Sequence, residues 1–169
     1  MNKLILIGGA AGTGKTTLSQ ELAKHFLLPW ISTDQIRSIL KIDDIDHTTR
    51  LIKTWGGVHE LIKHHHPWEG GIIEGTAILP EFVARDFKEA DNIQALFLVQ
   101  DDIEEITKVI EERSKLPWIN TKTQEQKTIK IKEVLEFNIM IQETAQQYRL
   151  PCFQGNKEST LTEVLNFLH

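Results

Sequence analysis

Residues 9–16 read Gly-Ala-Ala-Gly-Thr-Gly-Lys-Thr, and no other segment narrows the possible folds of the chain as much. The segment matches G-x-x-x-x-G-K-[ST] in full, with Gly9, Gly14, Lys15 and Thr16 at the fixed positions. Each fixed residue type has a physical reason. Glycines enter backbone conformations closed to other residues, so the N–H groups of Gly9, Ala10, Ala11, Gly12, Thr13 and Gly14 can turn inward toward phosphate oxygens. Such a loop feeds a helix N-terminus, which adds free N–H donors and partial positive charge. Lys15 supplies a full charge for β- and γ-phosphates, Thr16 a hydroxyl for Mg²⁺, and Thr17 follows in the same turn. The flanks agree with this reading. A strand, Lys3 to Ile7, precedes the loop, and Leu18, Leu22 and Phe26 follow at the four-residue spacing of a helix face. A Gly-rich turn arising by chance would lack both flanks. The segment predicts a site for a nucleoside triphosphate, ATP with Mg²⁺.

The rest of the chain continues the alternation of strand and helix. Strands are expected at Trp30 to Thr33, Gly71 to Glu74, Ile93 to Val99 and near Cys152 and Phe153. Between them lie helical stretches. The first runs from Lys15 to about Leu27, stopped by Pro29. Gln35 to Pro67 is mainly helical, with Leu51, Trp55, Val58 and Ile62 as a stripe that Gly56 and Gly57 should bend. Further helices start near Pro80, run from Asp101 and Asp102 to Arg113, and run from Gln124 to Arg149. In the last of these Ile131, Val134, Leu135, Ile141, Ala145 and Tyr148 share a face. A final helix carries Leu161, Val164, Leu165 and Leu168. This order predicts an α/β fold, a three-layer α/β/α sandwich on a five-stranded parallel sheet, formed by residues 1–169 as one domain. Two stretches read as excursions on the ligand side: residues 41–67, helical and facing an acceptor, and residues 114–123, a short lid around Pro117.

Composition removes several classes of function. Apolar residues make up 40% of the chain and charged residues 25%, an ordinary balance, and there is no apolar run of membrane length. Lys3 and the short apolar run after it lead into the phosphate motif where a cleavage site should be, so the expectation is a cytoplasmic protein rather than a secreted one. The single Cys152 excludes an internal disulfide and reads as a small apolar strand residue. A net charge of −5 argues against a nucleic-acid partner, which would need a basic patch.

The motif order resembles that of the small P-loop kinases of the adenylate and shikimate kinase-like superfamily. The segments IGGAAGTGKTT, ISTDQIRSIL, IIEGTAILP and NIMIQETAQQYRLPCF are most similar to the 2-phosphoglycerate kinase-like group. In that group a histidine typically follows the acid–Gly pair one residue on, whereas here Thr76 and Ala77 follow Glu74-Gly75. The resemblance implies an ATP-dependent phosphotransferase acting on a hydroxyl of a small polar metabolite. It assigns Asp34 as the base that takes the hydroxyl proton, Arg37 as an acceptor ligand, and Arg113 as a lid arginine that neutralises charge on the transferring group. Elementary chemistry points the same way for Asp34, since a carboxylate near the triphosphate can orient a hydroxyl for in-line attack. Asp34 and Arg37, three apart, share one helical face. The plainer reading is that Asp34 caps the next helix and Arg37 is solvated.

Glu74 ends a strand where a carboxylate can face Mg²⁺ or its waters, alongside Thr16; the plainer reading is an exposed strand-end charge. Arg113 reads equally as a helix C-terminal cation, and the lid offers only Lys115 and Lys122 besides. Arg50 is a further acceptor-side candidate. His64-His65-His66 reads as a solvated face, because adjacent helical positions point apart. Gly155 to Lys157 is a candidate adenine rim by position. A nucleoside or nucleotide kinase remains an alternative, with Trp55 or Trp68 as stacking partners. An alternative of another class is a nucleotide-binding regulator or simple NTPase, which needs no Asp34–Arg37 pair.

Overall fold

The computed structural model describes residues 3–42, 45–64, 70–113 and 123–169. Five strands, β1 (Lys3–Gly9), β2 (Trp30–Ser32), β3 (Gly70–Gly75), β4 (Ile93–Val99) and β5 (Cys152–Gln154), form one sheet in the order β2-β3-β1-β4-β5. Every pairing is parallel. Parallel neighbours need crossover connections, and helices supply them. They are α1 (Lys15–Phe26), α2 (Thr33–Ile39), α3 (His47–Lys63), α4 (Pro80–Phe87), α5 (Ile103–Arg113), α6 (Gln124–Gln147) and α7 (Thr160–Leu168).

Strand side chains alternate between the two faces, and both faces are covered. Ile5 and Ile7 of β1 pack with Ile72, Leu96 and Leu98 beneath Leu18 and Leu22 of α1 and Val164 and Leu168 of α7. Leu6 points the other way, with Ile73, Phe97 and Val99, beneath Trp55 and Val58 of α3, Val83 of α4 and Ile141 and Ala145 of α6. The result is the expected three-layer α/β/α sandwich. Burial on both sides is why β1 and β4 read as apolar runs rather than alternating ones. Chain order reverses beside β1, since β2 lies beyond β3 while β4 lies on the other flank. The crevice at the carboxyl ends of β1 and β3 is thus a switch point of the kind where open α/β sheets bind ligands.

Three helical details differ from the sequence reading. The Gly56-Gly57 pair does not interrupt α3, which runs unbroken for 17 residues. A Cβ at Gly57 would collide with Leu40, so the missing side chain admits the end of α2 against α3. The packing gained offsets the helix propensity lost. Thr33 opens α2 rather than ending β2. In α6 the buried face is Val134, Asn138, Ile141 and Ala145, while Tyr148 caps the helix and stays exposed. Asn138 is the polar member of that face because its Nδ2 donates to the Gln100 carbonyl at 2.6 Å and its Oδ1 accepts from the Gln100 N–H at 2.9 Å.

Trp55 belongs to the core. It is 3% exposed, packs on Phe82 and Phe87, and donates its indole N–H to Asp86 at 2.7 Å. The Arg85 hydrogen bond, helped by that of Trp55, holds the Asp86 carboxyl below its usual range. Asp86→Ala would leave the indole N–H unpaired in the core, at a cost of about 1–3 kcal/mol. A thermal melt should fall by roughly 2–4 °C per kcal/mol, and Asp86→Asn, which keeps an acceptor, should lose less. Because the folded pKa is depressed, the ionic part of this stabilisation is complete above about pH 4 and is lost as pH falls through the folded value.

Burial pushes the Cys152 thiol up to about 11, so it stays protonated at neutral pH and behaves as the apolar strand residue expected. No described helix is long and apolar enough to cross a membrane.

Candidate active site

The chain leaves β1 through Gly9, Gly12 and Gly14, all at positive φ. Gly14 precedes α1 in the left-handed region, at φ 82° and ψ 8°, and no side chain caps the helix there. The first N–H groups of α1 are therefore left to an outside acceptor. A Cβ on Gly14 would also stand 2.5 Å from Asn156 Oδ1. Asn156 donates through Nδ2 to the Gly12 carbonyl at 2.8 Å. Its neighbour Gly155 donates to the Val99 carbonyl at 2.7 Å and accepts from Gln100 Nε2 at 3.3 Å. The loop after β5 thus braces the phosphate loop, and Gln100 and Asn138 hold that brace. Sequence reasoning placed Gly155 to Lys157 near the nucleotide but missed Gln100 and Asn138, whose signal was only a polar residue in an apolar stripe.

Within the loop, Thr13 Oγ1 donates to the Ala10 carbonyl at 3.0 Å and Lys15 Nζ to the same carbonyl at 2.6 Å. Ala10 itself is buried against Ile106 of α5 and Val134 of α6. Lys15 is 7% exposed and lines the cavity beside Thr16 and Thr17. Thr16 Oγ1 donates to Glu74 Oε1 at 3.2 Å, so the end of β3 and the start of α1 meet. Glu74 is 3% exposed, which excludes the reading of a solvated strand-end charge.

The segment after β2 resolves the question of the cap. Ser32 is the N-cap of α2, accepting from the Asp34 N–H at 3.2 Å and forming a reciprocal box with Gln35. Asp34 is not spent on capping; its side chain is 74% exposed, with Arg37 Nη2 3.5 Å from Oδ1. Arg37 Nε is buried and has no hydrogen-bond partner. Gly75, at φ 152°, lets the end of β3 close on Thr33, since a Cβ there would overlap the threonine side chain.

These groups border one cavity of about 700 Å³. Its walls include Lys15 and Thr16 of the loop, Asp34 and Arg37 of α2, Glu74 of β3 and Arg50 of α3. The structure thus brings together the phosphate loop and both acceptor-side candidates. It adds three residues that sequence reasoning missed: His47 and Thr54 on α3, and Lys130 on α6. His47 sits at the rim with its ring 5.6 Å from that of Phe137. Partial burial lowers its pKa, Arg50 and Lys130 lower it further, and Glu133 and Asp46 oppose them.

Of the lid stretch, residues 114–123, all but Thr123 lie outside the described residues, as do Trp68, His65, His66 and the side chain of Arg113. His64 closes α3 with its Nε2 3.2 Å from Glu60 Oε2, on an exposed surface. Among the described residues no group of three or more His, Cys, Asp or Glu side chains could hold a metal ion. A second cavity, of about 640 Å³, opens near the amino ends of β4 and β5, between α4 and the end of α6, and contains none of the motif residues.

No family model matches the sequence, and no curated protein is similar to it. Solved structures are similar over the whole chain. A gluconokinase from Sinorhizobium meliloti superposes with a TM-score of 0.64 at 14% identity, covering 99% of this chain and 91% of that one. A shikimate kinase from Acinetobacter baumannii in complex with shikimate gives 0.61 at 13% identity, with 99% and 91% covered. The chain has the α/β fold of these kinases. A deoxyadenosine kinase from M. mycoides with bound dATP shares it, with a TM-score of 0.56 at 16% identity and 98% of both chains covered. At such identities the fold is what is shared, and the chemistry must be argued from this chain's own residues.

Proposed function

We propose that the protein is an ATP-dependent phosphotransferase that moves the γ-phosphoryl group to a hydroxyl of a small polar metabolite. The observation that carries this reading is that an exposed carboxylate not used in capping, Asp34, borders the same 700 Å³ cavity as Lys15 and Thr16 of the phosphate loop. A binding protein or simple NTPase has no use for that pairing.

The loop N–H groups and the N-terminus of α1 hold the triphosphate, and Lys15 exchanges the Ala10 carbonyl for phosphate oxygens. The acceptor hydroxyl oxygen attacks the γ-phosphorus in line while the bond to the β-phosphate oxygen breaks. The hydroxyl proton passes to the Asp34 carboxylate, and ADP leaves. Arg37, anchored beside Asp34, orients the acceptor. Arg113 is assigned to charge neutralisation on the transferring group, from its place at the end of α5. Thr16 and Glu74 suit Mg²⁺: both are hard oxygen donors, they lie 3.2 Å apart, and the carboxylate is buried where a cation would stabilise its charge. When bound, Mg²⁺ supplies charge neutralisation on the β- and γ-oxygens. Glu74→Gln should raise the Mg²⁺ concentration needed for tight ATP binding by about tenfold. Calorimetric ATP titrations over a Mg²⁺ series would show it, and an unchanged Mg²⁺ dependence would remove Glu74 from the metal site.

A nucleoside acceptor fits less well. Trp55, the aromatic candidate for base stacking, is committed to the core, and among the described residues the cavity wall carries no Trp, Tyr or Phe. Phosphoglycerate is also not favoured, because Thr76 and Ala77 replace the histidine pattern of the kinases that use it. The test is an ATP-consumption screen over metabolite hydroxyls, with sugar acids, nucleosides and aminoglycoside- or phenicol-like alcohols included. Acceptor-dependent ADP formation supports the reading; ADP formation indifferent to every acceptor opposes it.

A further inference from the structure

We propose that Arg37, Arg50 and Lys130, with His47 at the rim, form an oxyanion site for the acceptor, so that the acceptor is a hydroxylated carboxylate or phosphate ester rather than a neutral alcohol. The inference rests on the phosphotransferase reading above and names its substrate class. Three observations carry it.

The first is charge. The cavity is bordered by the cationic side chains Lys15, Arg37, Arg50 and Lys130, and by His47, against two carboxylates, Asp34 and Glu74. Glu74 belongs to the Thr16 end, and Lys15 to the triphosphate. Of the residues that border the far wall, Arg37, Arg50, Lys130 and His47 stand against Asp34, with Glu133 behind Lys130 at 2.9 Å, on a chain whose net charge is −5. Cations gathered in one cleft of an acidic protein focus a positive potential there.

The second is unmet hydrogen bonding on that wall. Arg37 Nε is buried without a partner, and so is the hydroxyl of Thr54, a residue 3% exposed. Buried polar groups in native proteins are almost always paired, and leaving one unpaired costs about 1–3 kcal/mol. Both groups can donate, and an oxyanion is an acceptor through every oxygen. Among the described residues no carboxylate stands within ion-pair distance of Arg50.

The third is that two elements converge. Arg50 projects from α3 and Lys130 from α6, and both act on His47. Lys130 Nζ is 2.9 Å from Glu133 Oε2, an exposed pair of low worth that a bound anion can outcompete. The groups facing His47 are Asp46, which caps α3, Arg50 from α3, Lys130 and Glu133 from α6, and the Phe137 ring. An oxyanion placed among them favours the imidazolium, so binding takes up a proton and tightens as pH falls toward the imidazole range.

The experiment reads binding without turnover. The phosphate loop is saturated with a nonhydrolysable Mg·ATP analogue, and the His47 ring resonances are followed by NMR. The titrants are inorganic phosphate, D-gluconate, and glucitol, which replaces the carboxylate of gluconate with a neutral alcohol. The expected result is a saturable His47 shift with at least one anion and none with glucitol, accompanied by an upward shift of the His47 titration midpoint. A phosphate response alone assigns a phosphate ester, a gluconate response alone a carboxylate, and a response to both an oxyanion site that takes either. Arg50→Ala should weaken the response about tenfold or more, with Arg50→Lys recovering part of it. Glu133→Gln, which removes the opposing charge, should strengthen it. A thermal melt of each variant confirms that it is folded. Equal shifts with gluconate and glucitol, or no shift with any of the three, overturn the oxyanion site. An anion that binds here while no hydroxyl compound accepts phosphate would instead overturn the phosphotransferase reading and leave the site standing.

Discussion

Lys15→Ala abolishes measurable triphosphate binding and leaves the protein folded. Lys15 is the one full positive charge inside the phosphate loop itself, and no neighbouring residue of residues 9–16 can replace it. Hydrogen bonds to a charged partner contribute about 1.5–3 kcal/mol each, and the lysine touches phosphates that are themselves highly charged. Its folding role is smaller. The bond from Nζ to the Ala10 carbonyl is local, spanning five residues, and its loss should cost about 0.5–1.5 kcal/mol. A melt should therefore drop by only a few degrees, at roughly 2–4 °C per kcal/mol. Calorimetric titration with Mg·ATP beside that melt separates the two effects. Affinity like that of the wild type would remove the nucleotide site from residues 9–16.

Asp34→Asn has the second large effect, and it falls on transfer rather than on binding. Asparagine keeps the shape and can still accept a hydrogen bond, but it cannot take a proton. The change should cost the fold little, because Ser32 caps α2 and the Asp34 side chain is 74% exposed, so its contact with Arg37 at 3.5 Å is a surface pair of low worth. Mg·ATP affinity should stay almost unchanged, since the loop carries it. Phosphoryl transfer should fall by about 10²- to 10⁴-fold, the usual worth of a positioned general base. A loose transition state places the loss toward the lower end, because the hydroxyl proton then leaves late. Arg37→Ala should show the opposite division, with a raised acceptor KM and ATP affinity little altered. Full transfer activity in Asp34→Asn would withdraw the base assignment.

The parts of the site that were legible in the sequence are those that are local. The phosphate loop is contiguous, and its glycines, lysine and threonine each have one physical reason to be there. Asp34 follows β2 in the first turn of α2 and Glu74 stands near the end of β3, and in a parallel sheet strand ends converge on one edge, so chain order already pointed both toward the loop. The far wall was not legible. His47, Thr54 and Lys130 come from helices whose stripes reveal which side is buried but not which side chains face each other across a cleft. Trp55 illustrates the same limit, since its spacing suited both a core stripe and a stacking platform, and only the contact with Asp86, Phe82 and Phe87 separates them. The unbroken course of α3 through Gly56-Gly57 shows tertiary packing overriding local propensity. Asn138 shows a polar residue tolerated in a helix core because the backbone just past the end of β4, at Gln100, needs both of its hydrogen bonds.

The most direct measurement follows the γ-phosphoryl group itself. The protein is incubated with ATP carrying ¹⁸O in the γ-phosphate and with a panel of hydroxy acids and neutral alcohols, and the products are weighed by mass spectrometry. The account predicts labelled phosphate esterified to one acceptor in equal amount to the ADP formed, with Asp34→Asn losing the ester while still binding Mg·ATP. Label found only in inorganic phosphate, with or without acceptor and regardless of Asp34, would contradict it.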